Sequence, residues 1–202
     1  TMNLKILLSG AKGRMGCAIQ SISSDHDCTV SYPIDLGDKP EDGMEHCDVV
    51  IDFSLRDATL SLAQLAKEHN KPMVIGTTGH SKEDRHAIEQ LSNFIPMVWA
   101  GNFSTGVNLL FFLTQQAAKV LDLNSGFDPE VIEMHHRLKK DAPSGTADRL
   151  LEILKESRNA SDEDISHGRE GMPGERKVNE IGSHALRGGD IVGEHTVMFA
   201  GM

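Results

Sequence analysis

The sequence predicts an α/β fold in which a doubly wound parallel sheet is followed by an α+β domain with an open mixed sheet. Two observations predict it. Up to Asn102, short apolar runs alternate with helical stretches of about 10 to 15 residues, which is typical of a parallel sheet covered by helices. After Asn102 the pattern changes to one long apolar helix and then mostly strands. We therefore predict two domains, residues 1–102 and 103–202.

The first domain is predicted to contain five strands. Residues 4–9 are a short apolar run of the kind that makes a buried parallel strand, and a helical pattern then extends through Ile22. Similar runs predict the other strands at residues 29–34, 48–53, 72–75 and 96–99. Helices are predicted at residues 57–69 and 82–93.

The second domain is predicted to begin with a long helix. Helices are expected at residues 106–121 and 144–156, and strands at 129–134, 178–181, 184–187 and 194–199. Residues 159–175 are polar, rich in glycine and without a clear period, which indicates a mobile loop. An open sheet has one face left to bury, and a partner subunit is a common way to cover it.

Composition excludes several classes of function. The chain has 202 residues and a formal net charge of -10, which argues against a nucleic-acid or membrane-surface role. Aromatic residues make up only 4%, so surfaces for stacking single-stranded bases are not expected. No apolar run approaches the roughly 20 residues that span a bilayer. The N-terminus has the pattern of a strand and not of a signal peptide.

The cysteines indicate a reducing compartment. There are three, Cys17, Cys28 and Cys47, an odd number without metal-binding spacing. We expect reduced, mostly buried thiols and a cytoplasmic protein.

A glycine-rich turn after the first strand is a candidate nucleotide site. The turn reads Gly10-Ala11-Lys12-Gly13-Arg14-Met15-Gly16. Its glycines allow a tight turn and let backbone N–H groups approach a pyrophosphate, as in Rossmann-type domains. Such a turn alone is as often structural as functional. Asp35 ends the second strand, where a carboxylate would hold a ribose hydroxyl, although it could equally be a solvated turn residue. Lys39 is the one nearby cation, so NAD is expected and NADP is left open.

Two further turns follow the fourth and fifth predicted strands. They read Gly76-Thr77-Thr78-Gly79 and Ala100-Gly101-Asn102-Phe103. In an open α/β sheet, ligands lie at the carboxyl ends of the strands, so both turns are expected near the nicotinamide end of a dinucleotide. Asn102 is a candidate to hold the carboxamide. The alternative for the first turn is an ordinary connection into a helix capped by Ser81.

A cationic cluster precedes a helix in the second domain. It reads His135-His136-Arg137-Leu138-Lys139-Lys140, with five potential cations in six positions of an acidic chain. Ser144-Gly145-Thr146 follows at a helix start, where amides and hydroxyls form an anion nest. A small polyanionic ligand that carries carboxylates is therefore expected here.

Members of this cluster have candidate roles. His135 and Lys139 are candidate general acids, and His136 and Arg137 are candidates to bind anionic oxygens. A solvated charge run followed by a plain helix cap at Ser144 is the structural alternative. Zinc is a further alternative, but adjacent histidines on a strand face opposite ways and cations repel a metal, so we predict no metal. The chain has no Gly-x-Ser-x-Gly motif, which argues against hydrolase chemistry.

These motifs together resemble the 4-hydroxy-tetrahydrodipicolinate reductase (dihydrodipicolinate reductase) family. Matching segments run in the expected order over nearly the whole chain: the turn at 10–16, then residues 52–54, 74–79, 102–108, 133–137, 139–147 and 186–195. The paired histidines followed by Asp141-Ala142-Pro143-Ser144-Gly145-Thr146-Ala147 are highly specific to the family, whereas the glycine turn is not.

The resemblance implies a homotetrameric enzyme of the diaminopimelate route to lysine. It would transfer a hydride from NADH or NADPH to a small cyclic dicarboxylate. The resemblance assigns His135 as proton donor and Lys139 as a second acid. It assigns His136, Gly145 and Thr146 to the substrate carboxylates. By the same resemblance the nucleotide contacts are Gly10, Ala11, Lys12, Gly13, Arg14, Met15, Asp35, Gly76, Thr77, Thr78, Ala100, Gly101, Asn102 and Phe103.

The sequence departs from the family at three places. Leu138 stands where many members have histidine, and Pro33-Ile34-Asp35 stands where many have Glu-Arg or a similar pair. Members also have a final strand and helix that return to the nucleotide domain, and this sequence ends at Met202, before them. Two other functions stay open: an amino-acid dehydrogenase acting on aspartate or homoserine, and a nucleotide-sensing regulator without turnover.

Overall fold

A computed structural model describes residues 3–201. The chain divides into two compact units, Thr1–Gly101 and Asn102–Met202. The first contains β1 (Leu4–Ser9), α1 (Arg14–Ile22), β2 (Cys28–Ile34), α2 (Glu41–Met44), β3 (Val49–Asp52), α3 (Arg56–Glu68), β4 (Met73–Ile75), α4 (Lys82–Leu91) and β5 (Met97–Trp99). The second contains α5 (Thr105–Val120), β6 (Asp128–His135), α6 (Gly145–Arg158), β7 (Ile165–His167), β8 (Ile181–Arg187) and β9 (Glu194–Ala200).

The first unit is built on a five-stranded sheet in the order β2-β1-β3-β4-β5, and every neighbouring pair is parallel. This confirms the predicted doubly wound sheet. The chain runs from β1 outward to β2 and then returns to the other side of β1 at β3. Ligands of such sheets lie at the carboxyl ends of the strands where the order reverses. The loops after β1 and β3 therefore frame the candidate nucleotide site.

Both faces of this sheet are buried. Successive side chains of β1 point to opposite sides, so this strand contributes to the apolar cluster on each face. Leu7 packs into a cluster with Val50, Met73 and Ile88 on one face. Ile6 and Leu8 belong to a separate cluster on the other face, together with Ile19 of α1. Helices on both faces explain why the parallel strands read as continuous apolar runs.

The second unit has a four-stranded mixed sheet in the order β7-β8-β6-β9. β8 runs parallel to both β6 and β7, whereas β9 is antiparallel to β6. This confirms the predicted mixed sheet. On one face Val131 packs against Leu150 and Leu154 of α6. The other face is open: exposure alternates along β9, and Met198 on the open face is 45% exposed.

The structure differs from the prediction between α6 and β9. The predicted loop at residues 159–175 contains a short 3-10 helix, Asp162–Asp164, and strand β7. The strand predicted at residues 178–181 is wrong, because Glu180 N–H donates to the Lys177 carbonyl in a turn and β8 starts only at Ile181. β7 has three residues and is defined by pairing with β8, a contact between distant segments that sequence periodicity does not reveal.

The cysteines are free, but they are not uniformly buried. Cys47 is buried, whereas Cys17 is exposed on α1, contrary to the expectation of mostly buried thiols. Within residues 3–201, no helix is long and apolar enough to cross a membrane.

Candidate functional site

The turn after β1 has a backbone shape that requires glycine. Gly10 has φ +79°, and a Cβ atom there would lie 2.3 Å from the carbonyl oxygen of Phe53. Gly13 is the N-cap of α1 and has no side chain that could accept hydrogen bonds from the first N–H groups of this helix. Amides at a helix N-terminus attract phosphate, and the turn therefore fits a dinucleotide pyrophosphate.

Asp35 lies beside this turn and is tied to it. Its Oδ2 accepts a 2.8 Å hydrogen bond from the Lys12 N–H, and its Oδ1 accepts one of 2.8 Å from the Leu36 N–H. Hydrogen bonds from Leu36 and Lys12 lower the pKa of this carboxyl group. Asp35 and Gly10 line a cavity of about 490 Å³, together with Asp38. A carboxylate with oxygen lone pairs left at the rim of this cavity can accept hydrogen bonds from ribose hydroxyls.

A second carboxylate, not predicted from the sequence, organises the next loops. Asp52 is fully buried at the end of β3. Its Oδ2 accepts hydrogen bonds from the hydroxyls of Thr59, at 2.7 Å, and Thr77, at 3.0 Å. Its Oδ1 accepts bonds of 3.1 Å and 2.5 Å from the N–H and hydroxyl of Ser54. The Thr77 hydroxyl, expected to face a nicotinamide ribose, therefore points into the protein.

The remaining residues of the predicted cofactor set fall into both units. Thr78 and Gly101 line a cavity of about 330 Å³ with His80 and Arg85 in the first unit. Asn102 belongs to the second unit, where its Oδ1 accepts a 2.8 Å bond from the Ser104 N–H. Its Nδ2 donates to the Thr146 hydroxyl at 3.4 Å. The structure thus joins a predicted cofactor residue to a predicted substrate residue.

In the second unit, strand pairing gathers four ionisable side chains on the helix-covered face of the sheet. Glu133 and His135 are two residues apart on β6 and so face the same way. Glu133 lies opposite His195 of β9, and His135 lies opposite Arg187 of β8. Arg187 donates a 2.8 Å hydrogen bond to Glu133 Oε1. Glu133 Oε2 lies 2.5 Å from His135 Nδ1.

Ser144 connects this cluster to α6. As the N-cap of that helix, its hydroxyl accepts a 3.3 Å bond from the Ala147 N–H. Its own N–H donates to Glu133 Oε1 at 3.3 Å, and its hydroxyl lies 3.0 Å from His195 Nε2. Ser144 is 3% exposed, so it acts as a helix cap and as a partner of the cluster. Gly145 and Thr146, the first residues of α6, are more accessible.

Burial and charge act in opposite directions on these groups. Burial raises the pKa of Glu133, but hydrogen bonds from Arg187 and Ser144 outweigh it, so the pKa is lowered and the carboxylate is ionised at neutral pH. Burial lowers the pKa of His195, and the charge of neighbouring His135 lowers it further. The rings of His135 and His195 are arranged edge to face, with centroids 5.1 Å apart.

Lys139 has an anionic partner that the sequence interpretation did not anticipate. Its Nζ donates to both carboxylate oxygens of Asp141, at 2.9 Å and 2.8 Å. The Lys139 N–H also donates to the His136 carbonyl at 3.1 Å, which closes the turn after β6. The hydrogen bond from Lys139 lowers the pKa of Asp141. Arg137 and Leu138 are exposed on this turn.

The structure contains a group of side chains that could hold a metal ion, but this group is not the pair of adjacent histidines considered from the sequence. Glu133, His135 and His195 bring three potential donor atoms within 4.8 Å of one another. However, Glu133 is already paired with Arg187, and His195 Nε2 contacts the Ser144 hydroxyl. A neighbouring guanidinium disfavours a second cation. The absence of a bound metal stays a prediction.

Fold and site together define a two-domain, dinucleotide-dependent oxidoreductase, and comparison with known proteins narrows this class. The family model for the N-terminus of dihydrodipicolinate reductase matches residues 4–103, and the model for its C-terminus matches residues 106–202. The chain therefore belongs to the dihydrodipicolinate reductase family.

Individual relatives agree with this assignment. The 4-hydroxy-tetrahydrodipicolinate reductase of Akkermansia muciniphila is 48% identical over 199 residues, covering 98% of this chain and 80% of that protein. The reductase of the same name from Campylobacter jejuni is 43% identical, covering 97% of this chain and 81% of its own length. Among solved structures, dipicolinate-bound dihydrodipicolinate reductase from Paenisporosarcina sp. TG-14 has a TM-score of 0.74 at 24% identity, covering 99% of this chain and 84% of that one. This last likeness concerns the fold.

Sequence reasoning missed Asp52, Glu133, Arg187 and His195. Glu133 carried a usable signal, because a residue two positions before His135 on a strand shares its face. Arg187 and His195 could not be found in this way, since their place depends on the pairing of β6 with β8 and β9.

Proposed function

We propose that this chain catalyses the NAD(P)H-dependent reduction of 4-hydroxy-tetrahydrodipicolinate to tetrahydrodipicolinate in diaminopimelate and lysine biosynthesis. The observation that carries the proposal is the match of both units to the two halves of one reductase family. Each unit also has chemistry suited to its half: a phosphate-compatible turn in the first and an acid–base cluster in the second. No comparison favours the amino-acid dehydrogenase alternative.

His135 is the proton donor of the proposed reaction, and Lys139 is a second acid. A reduced nicotinamide, when bound, supplies a hydride to a ring carbon of the conjugated imine–alkene. His135 adds a proton to the neighbouring carbon. The conjugated imine–alkene forms when the substrate hydroxyl leaves as water together with a hydrogen from the adjacent ring carbon. One hydride and one proton then add to it, so the overall change is a reduction with loss of one water. The Lys139 ammonium offsets negative charge that develops on the ring.

The substrate carboxylates are held by His136 and the start of α6. Gly145 and Thr146 lie at the N-terminus of a helix of 14 residues, where backbone N–H groups favour an anion. Ser144, the third predicted substrate residue there, contributes indirectly, because its hydroxyl serves Ala147 and His195. The Ser144 hydroxyl thus shapes this pocket and leaves carboxylate binding to its neighbours.

The cofactor contacts are the turn from Gly10 to Met15, Asp35 and the turns after β4 and β5. NADH is the preferred cofactor in this proposal. Asp35 and Asp38 both line the cavity next to the glycine turn, and Asp38 Oδ2 accepts a 2.9 Å bond from the Asp35 N–H. Two carboxylates repel a ribose 2′-phosphate, and Lys12, whose charge acts on Asp35, and Lys39 are the cations that would oppose this repulsion.

The open face of the second sheet is the proposed contact surface of a homotetramer. Leu186 and Met198 lie on this face and are 46% and 45% exposed. Their burial against a second copy would remove apolar surface from water. Light scattering of the purified protein should give four copies, and Met198→Glu should shift it to smaller species; a wild-type monomer would contradict this proposal.

The free cysteines support a reducing, cytoplasmic setting.

The reaction is tested in a coupled assay in which the preceding lysine-pathway aldolase supplies the substrate. We expect NADH oxidation that depends on the aldolase, a larger kcat/KM with NADH than with NADPH, and loss of most of kcat in Lys139→Ala. Lys140→Ala is the matched control, since Lys140 is exposed on the same turn. Oxidation of homoserine with NAD and no response to the cyclic substrate would instead establish the dehydrogenase alternative. Cofactor binding without any turnover would indicate a regulator.

A further inference from the structure

The second unit contains a buried carboxylate whose two oxygen atoms have different partners. Glu133 is 1% exposed. Its Oε1 accepts hydrogen bonds from Arg187 and from the Ser144 N–H, and these fix its orientation. Its Oε2 makes a 2.5 Å ion-pair contact with Nδ1 of His135. Within residues 3–201, both atoms are buried and neither makes a hydrogen bond that meets the usual geometry, so this close ion-pair contact is the polar interaction that the structure shows for them.

We propose that Glu133 is the positioning residue of the proton-transfer step: its carboxylate holds Nδ1 of His135, so that Nε2 is the nitrogen that delivers the proton. This inference rests on the proposed function, in which His135 is the proton donor. An ionised carboxylate accepts hydrogen bonds and cannot donate them, so the nitrogen beside it is the one that keeps its proton. The other nitrogen is then free to exchange a proton with substrate.

The surroundings of His135 support this division of roles. Nε2 faces Gly193 in the loop before β9, where a Cβ atom would lie only 3.2 Å away. A residue without a side chain at this point keeps the space beside Nε2 open. On the Nδ1 side, Glu133 is held from β8 by Arg187 and from α6 by Ser144, so its position is fixed by two separate elements.

Charged groups face this pair from every neighbouring element. β6 contributes Glu133, β8 contributes Arg187, β9 contributes His195, the turn after β6 contributes Lys139 with Asp141, and α6 contributes Asp148. Hydrogen bonding to Arg187 and Ser144 keeps the pKa of Glu133 lowered, so the carboxylate that faces His135 is ionised.

The first experiment compares Glu133→Gln with wild type in the coupled assay across the neutral pH range. Glutamine keeps the shape and an oxygen for Arg187 but removes the charge. We expect kcat to fall roughly 100-fold, the scale of general-acid catalysis, with KM values for both substrates little changed. The pH dependence of kcat should differ from that of wild type, because the charge beside the proton donor is gone. In a His135→Ala background the same substitution should have no further effect on kcat. Glu152→Gln, on the exposed face of α6, is the matched control.

The second experiment does not depend on turnover. In nitrogen-15 NMR of the histidine rings, with His135 identified by its absence in His135→Gln, neutral His135 should carry its proton on Nδ1. In Glu133→Gln that preference should weaken or move to Nε2. Three results would each overturn the inference. The first is full activity with an unchanged pH profile in Glu133→Gln. The others, in the wild-type protein, are neutral His135 that carries its proton on Nε2 and a His135 signal that changes when a metal chelator is added. Absence of wild-type turnover would refute the proposed function while the NMR result still decides the role of Glu133.

Discussion

The Thr77 hydroxyl donates a 3.0 Å hydrogen bond to Oδ2 of Asp52, which joins the loop after β4 to the end of β3. Asp52 also binds Ser54 and Thr59, so one buried carboxylate fixes two adjacent loops at the edge of the sheet where a dinucleotide is expected. The hydroxyls of Thr59 and Thr77 that it satisfies lie in the interior, where water cannot replace it. The Asp52 side chain therefore adds to two direct links between these loops, the hydrogen bonds from Ser54 N–H to the Thr77 hydroxyl and from Gly76 N–H to the Asp52 carbonyl.

Asp52→Ala should destabilise the first unit by about 3 kcal/mol, because it leaves buried hydroxyls without an acceptor. Trp99, the single tryptophan of the chain, lies on β5 of that unit, so its fluorescence during urea unfolding reports on it. The KM for NADH should also rise as the loops loosen. Ser21→Ala is the control, since Ser21 is exposed on α1 and its hydroxyl bonds only the preceding turn. An unfolding midpoint equal to wild type would show that Asp52 is not needed for stability.

The sequence predicts the fold better than it predicts the contacts within the site. The strands of the first unit were found because parallel strands buried on both faces read as apolar runs, as β1 does. β7 was missed because its three residues are defined by pairing with a distant strand. In the site, His135 and Lys139 stood out as a local charge cluster. Their partners Glu133 and Asp141 did not, because a carboxylate near a cation in sequence is not necessarily in contact with it.

Replacing Asp35 should weaken the preference for NADH. In Asp35→Ser we expect kcat/KM with NADH to fall about 10- to 100-fold, the scale of a hydrogen bond to a charged group, and kcat/KM with NADPH to fall less. The loss of negative charge removes repulsion toward the 2′-phosphate. Steady-state kinetics with both cofactors measure the ratio. Asp25→Ser, in an exposed short helix of the same unit, is the control. An unchanged ratio would place cofactor discrimination elsewhere, with Asp38 the next candidate.

Glu130 should make the second unit sensitive to acid. Burial raises its pKa, but hydrogen bonds from Arg169 and His184 and the charge of Arg176 outweigh burial and lower the pKa from 4.5 to about 2. As pH falls, the unfolded chain therefore takes up this proton first. The stability that ionised Glu130 contributes is complete above pH 4.5 and is lost as the pH falls toward about 2.

The matching variant is Glu130→Gln, followed by urea unfolding monitored by circular dichroism. The variant should be less stable than wild type at neutral pH, and the difference should shrink as pH falls below 4.5. Asp128 and Glu180 also contact Arg176, so some acid sensitivity should persist in the variant. Glu163→Gln, which is exposed, should behave as wild type at every pH. A difference that stays constant with pH would mean that Glu130 does not titrate in this range.

Gly193→Ala should impair catalysis through His135. The new Cβ atom would lie 3.4 Å from Cδ2 of that ring, an ordinary contact, but 3.2 Å from Nε2, which is tighter than nine in ten real Cβ contacts. The ring must then shift, and a proton donor displaced by even a fraction of an ångström transfers less efficiently. Gly193 has φ +146°, so backbone strain adds to the effect. We expect kcat to fall at least about 10-fold with cofactor KM unchanged.

Gly189→Ala is the matched control for this variant. Gly189 lies in the same loop and also has positive φ, +46°, but its Cβ would meet nothing within 4 Å. It therefore places an alanine at positive φ in this loop without the contact to His135, at a φ that costs an L residue less than +146° does. A similar loss of kcat in both variants would attribute the effect to the loop backbone. A loss confined to Gly193→Ala, with the nitrogen-15 signals of His135 shifted, would attribute it to crowding of the nitrogen that donates the proton.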